Sequence, residues 1–248
     1  MNGVLLIDKD EGMSSFDVVR ELKRKFCEPK IGHLGTLDPL ATGLLVVFLG
    51  QATKLIPYFS ELEKEYVVNL ELGKISDTFD RTGIVKTLHH EGVSRSEFEV
   101  AVLGFLGKQW QIQPPFSAIH FQGKRAYEHA REGRLVDLGK RQVTLRDIKI
   151  LNYEFPNVEL NMVCSSGTYV RATVHELGQQ LSTGAIMTAL RRKKVGKFSI
   201  EHSRRASEAS PKDLINPLQL LENYLDKSQF AGKEYEYLSK RCQSLLDE

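Results

Sequence analysis

An α+β fold, with helices flanking a mixed and largely antiparallel sheet, is what this sequence predicts, and three observations lead there. Two short continuous apolar runs, Val4-Leu5-Leu6-Ile7 and the stretch from 44 to 49, have the length of buried strands. Two other stretches alternate strictly. Tyr66, Val68, Leu70 and Leu72 interleave with Val67, Asn69, Glu71 and Gly73, and Val158, Leu160, Met162 and Cys164 repeat the pattern of a half-buried strand. Helical periodicity interrupts these strands irregularly, which suits an α+β arrangement better than a repeating βαβ one.

The helices carry their own start and stop signals. Ser14 can cap a helix with Asp17 three residues on, and Phe16, Val19, Leu22 and Phe26 would mark its apolar face. Ser94 and Glu97 form a second capping box ahead of Phe98, Val102 and Leu106, with Gly107 placed to end that helix. After the turn signal Ser165-Ser166-Gly167, a helix is expected with Val170, Val174, Leu177 and Leu181 on one face. Ser210-Pro211 opens a last helical stretch through Leu214, Leu218 and Leu221, because proline suits the first helical position. No internal repeat, low-complexity segment or long linker divides the chain. The expected organisation is a catalytic domain over 1–205 followed by a helical tail over 206–248.

Composition bounds the function. With 41% hydrophobic and 27% charged residues in 248, the chain reads as a soluble globular protein. No run of eighteen or more apolar residues occurs, so no membrane span is expected, and Asp8 and Asp10 argue against a signal peptide. Three well-separated cysteines (Cys27, Cys164, Cys242) suggest neither a disulfide framework nor a zinc site, and they suit the reducing cytoplasm. The net charge of +2 is unremarkable, but its distribution is uneven. From Ile186 to Arg205 seven basic residues face the single acid Glu201, and from His120 to Arg146 seven face three. Clusters of that size can neutralise several phosphates, or they can be solvated faces balanced by distant acids.

The segment Gly32-His33-Leu34-Gly35-Thr36-Leu37-Asp38-Pro39-Leu40-Ala41-Thr42-Gly43 is the most informative. Its glycines let the backbone turn sharply, Pro39 biases Asp38 away from helix, and the apolar run that follows gives the loop a rigid base. Such a loop suits presentation of a carboxylate to a substrate. It lacks the Lys-Ser/Thr ending of a phosphate-binding loop. Taken alone, the Asp-Pro pair also reads as an ordinary turn starter.

This loop closely resembles the Gly-His-x-Gly-x-Leu-Asp-Pro-x-Ala-x-Gly signature of the TruB family of tRNA pseudouridine synthases. Other elements match in order. Asp8-Lys9 with Gly12-Met13-Ser14-Ser15 resembles the family's first motif, and Lys64-Glu65-Tyr66 its Lys-x-Tyr element. Pro114-Pro115-Phe116-Ser117-Ala118, Ala126-Tyr127 and Ser166-Gly167-Thr168-Tyr169-Val170-Arg171 follow. Gly184-Ala185, Leu190-Arg191-Arg192, Val195-Gly196 and Phe198 complete a likeness that runs over about residues 2 to 200.

The resemblance implies the pseudouridine synthase fold and isomerisation of uridine at position 55 in the T arm of tRNA, without cofactor or metal. It makes Asp38 the catalytic carboxylate, Arg171 its ion-pair partner, and Tyr66 the ring that stacks on a flipped uracil. Tyr169 would lie near the site, and His33 would fill the space vacated by the flipped nucleotide. Lys9, Lys64, Arg125, Arg191, Arg192, Lys193 and Lys194 would grip phosphates. Asp10 and His120 depart from the family pattern, where proline and lysine are usual. The residues after Arg205 look helical, so the small C-terminal RNA-binding domain common in bacterial relatives is expected to be absent or reduced. A monomer without an obligate protein partner is expected. The competing readings are a non-catalytic RNA-binding or tRNA-folding module and a guide-RNA-dependent synthase of the dyskerin kind.

Overall fold

The first helix shows how local chemistry sets the elements. In the computed structural model, which describes residues 1–88, 92–114, 116–117, 119–134, 136–225 and 232–247, Ser14 accepts from the Asp17 amide at 3.1 Å. Asp17 in turn accepts from the Ser14 amide at 2.9 Å, closing the expected capping box. In chain order the elements begin β1 (Gly3–Lys9), α1 (Ser15–Phe26), β2 (Ile31–Leu34), β3 (Thr42–Leu49), α2 (Ile56–Phe59), β4 (Lys64–Leu72), β5 (Lys74–Ser76) and β6 (Val85–Thr87). Then come α3 (Arg95–Leu103), β7 (Gly107–Ile112), β8 (His120–Phe121), β9 (Lys124–Arg125), α4 (Ala126–Arg131), β10 (Lys140–Glu154) and β11 (Asn157–Cys164). The chain continues with α5 (Val170–Gln180), β12 (Ala185–Val195), β13 (Phe198–Ser199), α6 (Pro217–Tyr224) and α7 (Gly232–Asp247). The fold is α+β with a mixed sheet, as expected.

Two compact units share this chain. One comprises residues 1–65 and 191–248, the other residues 66–190. In the first, β3 lies between β1 and the end of β12, with β2 also on β3 and β13 on β12. The β1–β3 and β2–β3 pairings are antiparallel, whereas β3 and β12 run parallel with Arg191 opposite Thr42 and Arg192 opposite Gly43. Both faces of β1 and β3 are covered, which is why these strands are continuous apolar runs. Val4, Leu6, Leu44, Val46 and Phe48 join Phe59, Phe198, Leu220, Leu221, Leu238 and Leu245 in one core cluster. Leu5, Ile7, Leu45 and Val47 meet Val18 and Leu22 of α1, with Ala206 and Ala209, in the other. Leu238 and Leu245 come from α7 and Leu220 and Leu221 from α6, so the boundary expected at residue 205 is not a boundary in packing. The tail supplies part of that core.

In the second unit the strands follow the order β12-β4-β11-β10-β7. Buried and half-buried residues alternate along β4 and β11 as the sequence suggests. Helices α3 and α5 bury Phe98 and Val102, and Val170, Val174 and Leu177.

Several local expectations need correction. Val19 and Leu22 are buried as expected and Phe26 packs partly against the core, but Phe16 is 65% exposed and Val18 takes the inward place, because the helix presents its Ser15–Val18–Leu22 stripe inward. Helix α3 stops at Leu103 with Gly104 as its C-cap, while Gly107, at φ +93°, opens β7. Leu106 is exposed. The stretch after Ser210 forms only a short 3-10 turn, and Asn216 with Pro217 starts α6 afresh. Pro115 and Ala118 of the double-proline motif lie outside the described residues, as does the Arg131 side chain.

If the tail is core, Leu220→Ala lowers unfolding free energy by about 2–5 kcal/mol in urea denaturation. A change within about 0.5 kcal/mol, as for a surface site, contradicts its place in the first unit's core.

Candidate active site

Asp38 sits on irregular backbone between β2 and β3, half-buried, in the first unit. Every turn of that segment is fastened. Its carbonyl accepts from the Ala41 amide at 2.9 Å, and the Pro39 carbonyl accepts from the Gly12 amide at 2.8 Å. On the other side Ser15 Oγ accepts from the Leu37 amide at 2.9 Å and donates to the Leu37 carbonyl at 3.2 Å. The Ser15 hydroxyl thus takes the place of a strand partner for a loop residue, and it is buried.

Arg192 supplies the third fastening. Only 1% exposed, it donates from Nε to the Leu44 carbonyl at 2.7 Å and from Nη2 to the Gly35 carbonyl at 3.0 Å. Gly35 (φ +72°) and Gly43 (φ +100°) hold backbone conformations that side chains disfavour. At Gly43 a methyl group would also run into the Arg192 main chain, 2.8 Å from its nitrogen.

Lys9 ends β1 with its ammonium on the carbonyls of Asp10 at 3.0 Å and Met13 at 2.6 Å. Burial lowers its pKa to about 8, helped by the nearby Arg192 charge and opposed chiefly by Asp38. His33, on β2, is pushed below the usual imidazole range, first by burial and then by Arg192, while a hydrogen bond to the Gly35 backbone acts the other way. Lys9, His33, Asp38 and Arg192 are therefore one electrostatic neighbourhood.

The basic run on β12 divides by strand periodicity. Arg191 bonds Asp8 with both guanidinium nitrogens, at 2.7 and 3.2 Å, and Lys194 pairs with Glu65 at 3.0 Å. Lys193 is half-buried and makes no ion pair with another described residue. Three of the expected phosphate ligands are corrected here. Lys9, Lys64 and Arg192 are buried and donate to main-chain carbonyls, Lys64 to that of Ser60 at 3.0 Å. A buried cation already satisfied by carbonyls is not available to solvent-borne phosphate.

In the second unit, Tyr169 caps α5 and Arg171 is its second residue. Gln111 of β7 clamps the Tyr169 peptide. Its Oε1 accepts from the Tyr169 amide at 2.8 Å, and its Nε2 donates to the Tyr169 carbonyl at 3.0 Å and to Thr173 Oγ1 at 2.8 Å. Arg171 is 4% exposed and donates to the carbonyls of Thr78 at 3.1 Å and Phe116 at 2.5 Å. The carboxylate beside it in this unit is Asp80, 4.0 Å away, itself buried and held by the Thr82 amide and the hydroxyls of Thr78 and Thr82. Tyr66 is a buried member of the alternating β4 pattern. Arg125 lies on the β8–β9 hairpin, apart in the chain from the other candidates, and its amide donates to Glu128 at 2.7 Å.

Asp80 and Gln111 carry no motif and were not anticipated. The available signals were a Thr-x-Asp-x-Thr cluster after a strand, and a glutamine at an inward phase of β7. Among the described residues, no group of three or more His, Cys, Asp or Glu side chains is placed to hold a metal ion, and no helix is long and apolar enough to cross a membrane.

A lysine whose folded pKa lies near 8, below the 10.5 of the unfolded chain, binds its proton less tightly when folded. Its burial cost is fully present below pH 8 and is relieved as pH rises towards 10.5, so stability gains over that window. Lys9→Met removes this gain, and urea midpoints measured from pH 7 to 10.5 read it as the difference from the parent. Parallel profiles contradict the assignment.

Comparison with known proteins follows the same residues. A family model described as TruB family pseudouridylate synthase (N terminal domain) matches residues 23–170, more than half of the chain. A protein of Clostridium novyi named tRNA pseudouridine synthase B is 38% identical over 246 residues, 99% of this chain and 83% of the relative. One of the same name from Syntrophomonas wolfei is 40% identical over 211 residues, 82% of this chain and 70% of the relative. Among solved structures, a chain from a Cbf5-Nop10-Gar1 complex superposes with a TM-score of 0.64 at 25% identity, covering 96% of this chain. A chain from an H/ACA RNP bound to a substrate RNA gives 0.62 at 24%, a likeness of fold. This chain spans 59% and 57% of the length of those two. With its loop, the family match and these relatives in agreement, the chain belongs to the TruB family of pseudouridylate synthases.

Proposed function

We propose that this chain converts the uridine at position 55, in the T loop of tRNA, into pseudouridine, with Asp38 acting on a nucleotide flipped out of its helix. One observation carries the reading. The family's signature loop holds a half-exposed carboxylate on backbone pinned by Ser15, Gly12 and Arg192, beside a buried lysine. Relatives named tRNA pseudouridine synthase B, at 38–40% identity, support tRNA as the substrate.

The reaction breaks the C1′–N1 bond and forms C1′–C5. The proton leaves C5, and N1 gains one, so no electrons or groups are exchanged and no cofactor is required. A carboxylate can serve as nucleophile at the sugar or the base, or as the base that starts an elimination. In this reading Arg171 pairs with Asp38, Tyr66 stacks on the uracil, Tyr169 lines the site, and His33, kept neutral by burial, fills the gap left by the flipped base. The remaining cations, half-buried Arg125, Arg191 and Lys193 and exposed Lys194, hold phosphates, which positions the RNA without reading its sequence. The enzyme works in the cytoplasm, as a monomer on the T arm, without an obligate protein partner. The likeness to Cbf5 chains makes a guide-RNA-dependent synthase the second reading.

Purified protein acting alone on a T-arm hairpin separates the two. Asp38→Asn is expected to bind the hairpin with near-parental affinity while releasing no tritium from uridine labelled at C5. Release at the parental rate removes Asp38 from the chemistry. A parent that acts only with added guide RNA and partner proteins favours the second reading.

A further inference from the structure

The basic excess between His120 and Arg146 enters the reading so far only through Arg125. Within it, Arg141 is placed distinctively. It is the second residue of β10 and stands directly opposite Gln111 of β7. Directly opposed residues of an antiparallel pair share a face, so Arg141 projects to the side on which Gln111 clamps the Tyr169 peptide.

Its guanidinium rests on the turn that precedes α5. A methyl group built at Gly167 would collide with that guanidinium, 2.5 Å from Nη2 and 2.6 Å from Nη1. Gly167 also holds φ +79°, so its backbone favours glycine, and the cation lies directly against it. The turn is the Ser166-Gly167-Thr168-Tyr169-Val170-Arg171 element itself. The Arg141 side chain nevertheless makes no hydrogen bond or ion pair to any other described residue, and it is exposed. A guanidinium seated against backbone, with its donors unspent and no carboxylate beside it, is prepared for a bidentate anion.

We propose that Arg141 is a phosphate-binding residue of the RNA site, taking one backbone phosphate of the strand that reaches the Tyr169–Arg171 region. This rests on the reading of the chain as an RNA-modifying enzyme and assigns a contact within it. The fork geometry matters as well as the charge. A lysine at 141 restores a point cation but not two parallel N–H donors.

The test measures binding of a T-arm hairpin between 50 and 300 mM KCl in an Asp38→Asn background, where turnover does not intrude. Adding Arg141→Ala is expected to weaken binding about three- to thirtyfold at 150 mM and to lower the slope of log affinity against log salt by about one. Arg141→Lys is expected to keep the slope and recover part of the affinity. In the Asp38 parent, Arg141→Ala leaves the single-turnover rate constant at saturating RNA unchanged, and the unfolding temperature stays that of the parent. Unaltered affinity and slope overturn the proposal. So does a lower unfolding temperature accounting for the loss, or a fall in rate constant without a fall in affinity. Activity persisting in Asp38→Asn would sink the catalytic reading alone, since the binding comparison stands without it.

Discussion

A buried guanidinium holds the candidate catalytic loop to its strand. Arg192 reaches from β12 to the Gly35 and Leu44 carbonyls, one on each side of Asp38 in sequence. The Gly35 carbonyl lies just past the end of β2, and that of Leu44 lies in β3 beside β12. The parallel pairing of Arg192 with Gly43 lets the side chain double back along its neighbour, which requires a glycine at that approach. Charge placed there also sets its surroundings. Burial first, and the Arg192 charge with it, lowers the pKa of Lys9 and of His33, and Asp38 opposes the shift of Lys9.

The basic run shows why a charge cluster in sequence is not a charged surface in the fold. On a helix, Arg191, Arg192, Lys193 and Lys194 would spread around the axis. On β12 they alternate, and Arg192 goes inside. Arg191 and Lys194 find acids on neighbouring segments. Lys193 makes neither an ion pair nor a side-chain hydrogen bond among the described residues. Arg141, from the weaker cluster, is less engaged than most members of the stronger one.

Much of the fold was legible because its signals are local. Ser14–Asp17 and Ser94–Glu97 cap the helices they were expected to cap, and the alternation in β4 and β11 survives into burial. The longest strand, β10, was hidden. Register shifts between Leu145 and Asp147, and between Ile150 and Asn152, break the period-two pattern that would have announced it. The role of the tail was hidden for another reason. Its leucines join a core to which β1 and β3 contribute from some two hundred residues earlier, and no local window spans that distance. For the site, the loop motif located Asp38, but the buried destinations of Lys9, Lys64 and Arg192 depend on carbonyls that only the folded chain supplies. Asp80 and Gln111 act by orienting Arg171 and Tyr169, and residues of that kind have no type-specific signature.

The central claim is that Arg192 serves Asp38 by position and not the RNA by charge. Single-turnover isomerisation of a T-arm hairpin by Arg192→Gln, with affinity measured in parallel, addresses it most directly. If the guanidinium positions the loop, the rate constant at saturating RNA falls about a hundredfold while affinity barely changes. Weakened affinity with an undiminished rate constant would make Arg192 a phosphate ligand after all.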